Sequence, residues 1–297
     1  MEVYFVHAES FKLDGGATFG VVPKSMWSKF RTSDDNNMID FSSRNLLVVD
    51  EKKVILFDTG IGNKQDEKYL GMFQAEGSEN LVNSIRAIGF SPLQITDVVF
   101  THLHFDHCGG AFRKTELGLL EPVFKNANYW CSKPQWLWAI NPNFREKASY
   151  MLENMEPIFN SGSFKQIEKE TYFTKNIFLK FVNGHTEGQI VPIIKYRTKT
   201  LMYTADFIPT IHHISLPYIA SYDTRPLITL QEKSAYLREA VEHNHIILFQ
   251  HDAENECCTV QRTDKGIRVK ELGTLEYFLD LPSQNVENQE DTEHINE

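Results

Sequence analysis

Thr101-His102-Leu103-His104-Phe105-Asp106-His107-Cys108-Gly109-Gly110 sets three histidines and an aspartate within six positions, directly after the apolar run Val98-Val99-Phe100. If that run is a β-strand carried through the motif, side chains alternate sides. His102 and His104 then share one face while Leu103 and Phe105 turn to the core. Asp106 and His107 fall where the strand gives out, and the glycine pair lets the backbone turn tightly. Imidazole and carboxylate donors on so short a stretch suit a borderline-soft ion such as zinc. A polar loop with a few solvated histidines is the competing reading, and it leaves four metal-competent groups at this spacing unexplained.

The rest of the chain can support a buried site. It has 297 residues, 41% hydrophobic and 12% aromatic, enough for a substantial globular core. The formal net charge of −10 argues against a nucleic-acid backbone or an anionic membrane as the main partner. Part of that excess is local: residues 283–297 hold five acidic residues and no Lys or Arg. Residues 282–297 therefore read as an acidic, disordered tail behind a single domain over 1–281. The N-terminus lacks a basic region followed by an apolar one, and no segment is long enough to span a membrane. Cys108, Cys131, Cys257 and Cys258 show no framework spacing, so free thiols in a reducing cytoplasm are expected.

Polar groups recur at the ends of apolar runs. Residues 1–60 read as strands and loops, with a hairpin of 45–49 and 54–57 around Asp50-Glu51-Lys52-Lys53, its second strand ending at Asp58. Asp58 is either a turn cap or the group that orients a ligand histidine. A helix follows from an N-cap at Ser78, with Leu81, Ile85 and Ile88 on one face. Further on, 127–131 reads as a strand, Pro134 opens a helix, and 141–176 is hard to read apart from a helix over 147–156 that could act as a cover. Trp136, Trp138 and Phe144 read as core. Residues 177–182 lead to His185, a hairpin of 189–196 and 200–204 leads to Asp206, and 245–249 leads to His251. Between the last two, Thr229 with Glu232 three positions on reads as a capping box opening a helix to about 244. Strand-rich halves with intervening helices suggest a two-sheet sandwich flanked by helices, with a site along one edge.

The donors can be counted. His102, His104 and His185 can make one three-nitrogen site with a coordination position open, Asp106, His107 and His251 a second, and Asp206 can bridge them. Two ions about 3.5–4 Å apart can share one hydroxide and clamp attacking and leaving oxygens. A structural zinc needs only four ligands, often cysteines; seven N/O donors read as a hydrolytic pair.

These residues, in this order, resemble the metallo-β-lactamase superfamily. The resemblance implies an α/β (α+β) fold, a four-layer αββα sandwich with a dinuclear metal site at one edge. It carries the metal-ligand role onto His102, His104, Asp106, His107, His185, Asp206 and His251, with two divalent ions, most readily zinc. Further stretches are similar to the N-acyl homoserine lactonase-like, quorum-quenching branch: residues 11–24, Asp206-Phe207-Ile208-Pro209-Thr210 with His213, and Leu216-Pro217-Tyr218 with Tyr222-Asp223. That implies a metal-dependent hydrolase whose bridging hydroxide opens a lactone or related ester, with Asp106 and Asp206 catalytic. Phe19, Trp27, His213, Tyr218 and Tyr222 are the candidate substrate contacts. Some lactonases of this type carry a tyrosine three residues after the bridging aspartate; here Pro209 stands there, so the carbonyl contact must come from Tyr218, Tyr222, His213 or the metals. Organophosphate, aryl-ester and thiolester hydrolysis are the chemical alternatives, and a metal-bound scaffold or sensor the non-enzymatic one. The partner expected is a small-molecule substrate, not nucleic acid or a membrane, with a homodimer compatible with the sequence.

Overall fold

The strands owe their continuous apolar runs to burial on both faces. In the computed structural model, which describes residues 1–78 and 80–281, Leu46 and Val48 of one strand point between two sheets while Leu47 and Val49 point outward. The period-2 alternation thus feeds two cores at once. The tail expected over 282–297 lies outside the described residues.

The first sheet runs, in spatial order, Glu2–Asp14, Met38–Asp50, Lys53–Phe57, Asp97–Val99, Asn128–Ser132 and Phe164–Ile167. Its first three strands pair antiparallel and the remaining pairings are parallel. The second sheet runs Gly266–Gly273, Cys257–Thr263, Ile246–Leu248, Lys199–Tyr203, Gln189–Tyr196, Ile177–Val182 and Thr171–Thr174. Between the sheets, Leu46, Ile55, Phe57 and Val99 pack against Leu179, Ile190, Leu201 and Leu248, all fully buried. Each such side chain contributes about 1.5–3 kcal/mol of transfer free energy. The outer face of the first sheet is covered by the helices Asn80–Ala87, Lys133–Ala139 and Leu152–Asn160, through Leu81, Ile85, Ala139, Met155 and Ile158. Tyr236, Leu237 and Ala240 of the helix Pro226–Glu242 cover the second. The four-layer αββα sandwich expected from sequence is the fold.

Five strands deliver the site. Lys53–Phe57 and Asp97–Val99 run parallel, Lys199–Tyr203 and Ile246–Leu248 run parallel, and Ile177–Val182 shares that direction through two antiparallel steps. Their C-terminal ends therefore emerge at one edge, where the sheets are stitched by Ser42 N–H to the His251 carbonyl (3.2 Å) and Ile190 N–H to the Thr101 carbonyl (2.7 Å).

Several local expectations are corrected. Residues 1–60 are not only strands and loops, because Asp14 caps a short helix Gly15–Phe19 by accepting from Ala17 N–H at 2.7 Å, and Lys24–Trp27 is a second. The helix expected to open at Thr229 opens at Pro226, whose missing N–H costs nothing at a first turn. Glu232 instead accepts from the N–H groups of Asn183 and Gly184. The cover expected over 147–156 is broken into a single turn, Lys147–Ser149, and the helix Leu152–Asn160. Phe144, read as core, is fully exposed. All four cysteines are unpaired and buried. No helix among the described residues is long and apolar enough to cross a membrane.

Candidate metal centre

The strand before the motif ends at Val99, earlier than the sequence pattern suggests. Thr101 is then pulled aside: its N–H donates to Asp58 Oδ1 (2.7 Å) and its hydroxyl to Asp58 Oδ2 (2.8 Å). His104 caps a one-turn helix, Phe105–Cys108, its carbonyl accepting from His107 and Cys108. His102 and His104 thus meet through a loop and a helical turn, not through the pleat of one strand. Leu103 and Phe105 go to apolar cores as expected, and Phe105, packed against Tyr69 and Phe73, also lines a cavity.

The seven expected donors come together. His104 Nδ1 lies 3.0 Å from His102 Nε2 and 3.2 Å from His185 Nε2. His251 Nε2 lies 3.4 Å from His107 Nε2, and Asp106 Oδ2 lies 3.6 Å from the His107 nitrogen and 4.0 Å from that of His251. Asp206 Oδ2 sits between the groups, 2.6 Å from His107, 3.3 Å from His102, 3.4 Å from His251 and 4.0 Å from His185. All seven are buried.

The outer nitrogen of every imidazole is already engaged. His102 Nδ1 faces the Thr101 hydroxyl (3.1 Å), His104 Nε2 meets Glu146 (2.9 Å), and His107 Nδ1 meets Asp58 (2.9 Å). His185 Nδ1 meets Asp223 (2.9 Å), and His251 Nδ1 the Ser42 carbonyl (2.9 Å). With the ring protons spent outward on oxygen acceptors, the inner nitrogens present lone pairs to one another and to an Asp206 oxygen that is buried without a hydrogen-bond partner. Such a cluster is stable only around positive charge, and three overlapping groups of these residues have the spacing to hold a metal ion. Burial, reinforced by the neighbouring imidazoles, pushes His102 well below the usual histidine range. At His107 burial is outweighed by Asp106, Asp206 and Asp58, which hold it well up; burial would raise Asp206, but the surrounding histidines hold it well down. That field selects a cation at the centre.

Two backbone positions beside the site are left-handed without being glycine, Asp58 (φ 61°) and Ala205 (φ 44°). Each costs of order 1–2 kcal/mol, recovered by the bonds that fix the neighbouring carboxylates. Asp58 proves to be the orienting group rather than only a turn cap. Replacing it with asparagine, which cannot accept from both Thr101 and His107 as before, should lower metal affinity about 10–100-fold and lower the Tm of the metal-free protein by roughly a few degrees. Equilibrium dialysis against a metal buffer checks this.

Sequence reading did not assign Asp223 and Glu146 as orienting groups. Asp223 follows no apolar strand run, and Glu146 lies in a segment with no readable period. Of the candidate substrate contacts, only Tyr222 lines the cavity of about 590 Å³ above the cluster. Phe19 and Trp27 are stacked and fully buried. His213 stacks on Phe19 and is tied to the Thr18 carbonyl, and Tyr218 packs on Phe30 and Phe19. These four form an apolar body beneath the loops. The apolar side of the cavity is made instead by Leu13, Tyr69, Met72, Phe73 and Phe105.

Comparison with known proteins agrees with this arrangement. An N-acyl homoserine lactonase of Bacillus cereus is 24% identical over 242 residues, spanning 76% of this chain and 87% of that protein. N-acyl homoserine lactonase AiiA of Bacillus thuringiensis subsp. kurstaki is 25% identical over 224 residues, spanning 71% and 81%. The crystal structure of a probable metal-dependent hydrolase from Staphylococcus aureus superposes with a TM-score of 0.84 at 26% identity, over 93% of this chain and 97% of that one. AidC, a dizinc quorum-quenching lactonase, shares the fold with a TM-score of 0.75 at 21% identity, over 92% and 95%. The family model described as the metallo-beta-lactamase superfamily matches residues 39–251, which hold all seven donors. The chain belongs to the metallo-beta-lactamase superfamily.

Proposed function

We propose that this protein is a hydrolase that opens lactones of the N-acyl homoserine lactone type with two divalent ions, most readily zinc. His102, His104 and His185 would hold one ion, Asp106, His107 and His251 the other, with Asp206 between them. The observation that carries the reading is the convergence of these seven side chains beneath a cavity that His104, Asp106 and His185 line and that has one apolar wall. The lactonases among its relatives point to the substrate class, and the apolar wall suits an acyl chain. Bound ions would supply Lewis acidity to a carbonyl and make water acidic enough, its pKa falling from ~16 to ~7, to attack at neutral pH.

The chain's own groups handle orientation and protons. Leu13, Tyr69, Met72, Phe73 and Phe105 exclude water from one side of a bound acyl group and fix its direction. Asp106 lines the same cavity, where its carboxylate can take the proton released by the attacking water and pass it to the departing ring oxygen. Tyr222 presents its ring edge to His185, and its hydroxyl is buried beside Thr18 without a hydrogen bond of good geometry. It is the one candidate on the cavity wall to donate to the substrate carbonyl, in place of a tyrosine at Pro209. Tyr222→Phe should therefore lower kcat about 10²–10³-fold with metal content unchanged, a loss expected for one donor to a developing oxyanion. Steady-state kinetics on a short-chain acyl homoserine lactone, with metal quantified on the same sample, reads both quantities. An unchanged kcat would remove Tyr222 from the chemistry.

The substrate class is tested by a panel on metal-quantified protein: acyl homoserine lactones of several chain lengths, simple γ- and δ-lactones, an aryl ester, a phosphotriester and a thiolester. Lactones should be the best substrates. Inert lactones with a turned-over phosphotriester or thiolester would replace the lactonase reading with another hydrolysis at the same centre.

A further inference from the structure

We propose that Glu146 is a positioning residue that couples cation binding at His102, His104 and His185 to the ordering of residues 141–151, which form one wall of the cavity. This rests on the metal reading above.

Four of the five histidines are braced by groups at the sheet edge or on the chain beside it: Thr101, Asp58, Asp223 and Ser42. His104 alone is braced from the wall. Glu146 is 4% exposed although Phe144, Arg145 and Lys147 around it are exposed. Its Oε1 accepts from His104 Nε2 (2.9 Å) and the Tyr150 hydroxyl (2.8 Å), and its Oε2 from Trp138 Nε1 (2.6 Å) and Asn143 Nδ2 (3.2 Å). Asn143 shapes the turn that presents it, accepting from the N–H groups of Arg145 and Glu146. The Tyr150 oxygen also lies 2.7 Å from the hydroxyl of Thr186, next to His185. One carboxylate thus gathers two donors from the wall itself, one from the helix Lys133–Ala139, and one from the metal cluster.

A cation on His104 Nδ1 makes the opposite N–H more acidic and turns its bond to Glu146 into a charge-assisted one, roughly twice as strong as a neutral bond. Beyond Glu146, the wall is tied to the site side by the Tyr150 hydroxyl, which reaches Gln135 and Thr186, and by the Arg145 side chain to the Ser221 carbonyl. Loading the centre should therefore tighten the wall, and by reciprocity an ordered wall should tighten metal binding.

The test is a cobalt(II) titration of wild type and Glu146→Gln, read by d–d absorption, with hydrogen exchange over 141–151 in metal-free and cobalt-loaded protein. Wild type should bind two equivalents and slow exchange in 141–151 on loading. Glu146→Gln should bind one equivalent normally and the other about 10–100-fold more weakly, and its wall should no longer respond to cobalt. Trp138→Phe, which keeps the Glu146–His104 pair, should show the same pattern more weakly and carries the test if Glu146→Gln fails to fold. Unchanged affinity for both equivalents, or a wild-type wall indifferent to cobalt, overturns the proposal. Wild-type protein that binds no cobalt overturns the metal reading itself.

Discussion

Asp206→Asn is expected to lower lactone turnover by on the order of 10³-fold, about 4 kcal/mol of lost transition-state stabilisation, and to leave the protein with fewer than two metal ions per chain. The substitution keeps the shape of the side chain, so the packing of the turn Ala205–Phe207 should survive. What changes is the charge at the point where the imidazoles of His102, His107, His185 and His251 converge within 4.0 Å. An amide there offers either a neutral oxygen or two hydrogens, and neither holds two cations together. The loss should exceed that of any single orienting residue, because Asp206 faces both donor groups while Asp58, Glu146 and Asp223 each bond directly to only one histidine. Metal analysis and turnover on one preparation measure it; full turnover with a depleted centre would remove the metal from the reaction.

Gly109→Ala is the second large expectation, and it acts through space. Gly109 has ordinary helical dihedrals (φ −62°), so its backbone would accept alanine. A Cβ there, however, would lie 1.9 Å from the Ile61 carbonyl oxygen, and one on Gly110 would lie 2.1 Å from that of Thr59. The turn after Asp58 and the turn after His107 are packed backbone to backbone, held by Thr59 N–H to the His107 carbonyl (2.7 Å) and Gly110 N–H to the Gly60 carbonyl (3.0 Å). Lys64 closes the contact by donating to the Gly109 and Phe112 carbonyls. No flexible side chain is available to yield, so alanine must separate the turns, at about 3 kcal/mol or more. A chain of this size should lose about 2 °C in Tm for each kcal/mol. Because Asp58 and His107 ride on the two turns, metal affinity should fall together with Tm. A variant that melts normally would show that the turns can part at little cost.

That glycine pair illustrates what the sequence disclosed. Its role in turning the chain was legible, since two glycines after a polar motif leave few alternatives; the carbonyls packed against them belong to residues some fifty positions away and leave no local mark. The same division runs through the site. His185, Asp206 and His251 could be read because each follows an apolar run, and a strand end is a local property. Glu146 could not, because it is placed by Asn143, Trp138 and Tyr150 in a segment whose order comes from hydrogen bonds and not from periodic burial. Phe19 and Trp27 are expected near substrate from the lactonase-like resemblance. The Asp14 cap turns the chain so that they stack inward, while Tyr69, Met72 and Phe73, at the end of a helix with no fully buried residue, line the cavity. The helix opening at Pro226 shows a competing cap signal: Thr229 and Glu232 have the spacing of a capping box, yet both side chains bond elsewhere in the fold.

Two ions held by the clustered donors, and a loaded centre that opens lactones, make one joint expectation. The most direct measurement follows hydrolysis of an acyl homoserine lactone by protein stripped with a chelator and then titrated with zinc, metal being quantified at each point. Stripped protein should show no turnover, and activity should rise to a plateau at two equivalents per chain. Lactone hydrolysis that persists in stripped protein, or a fully loaded protein that leaves every lactone intact, would contradict that expectation.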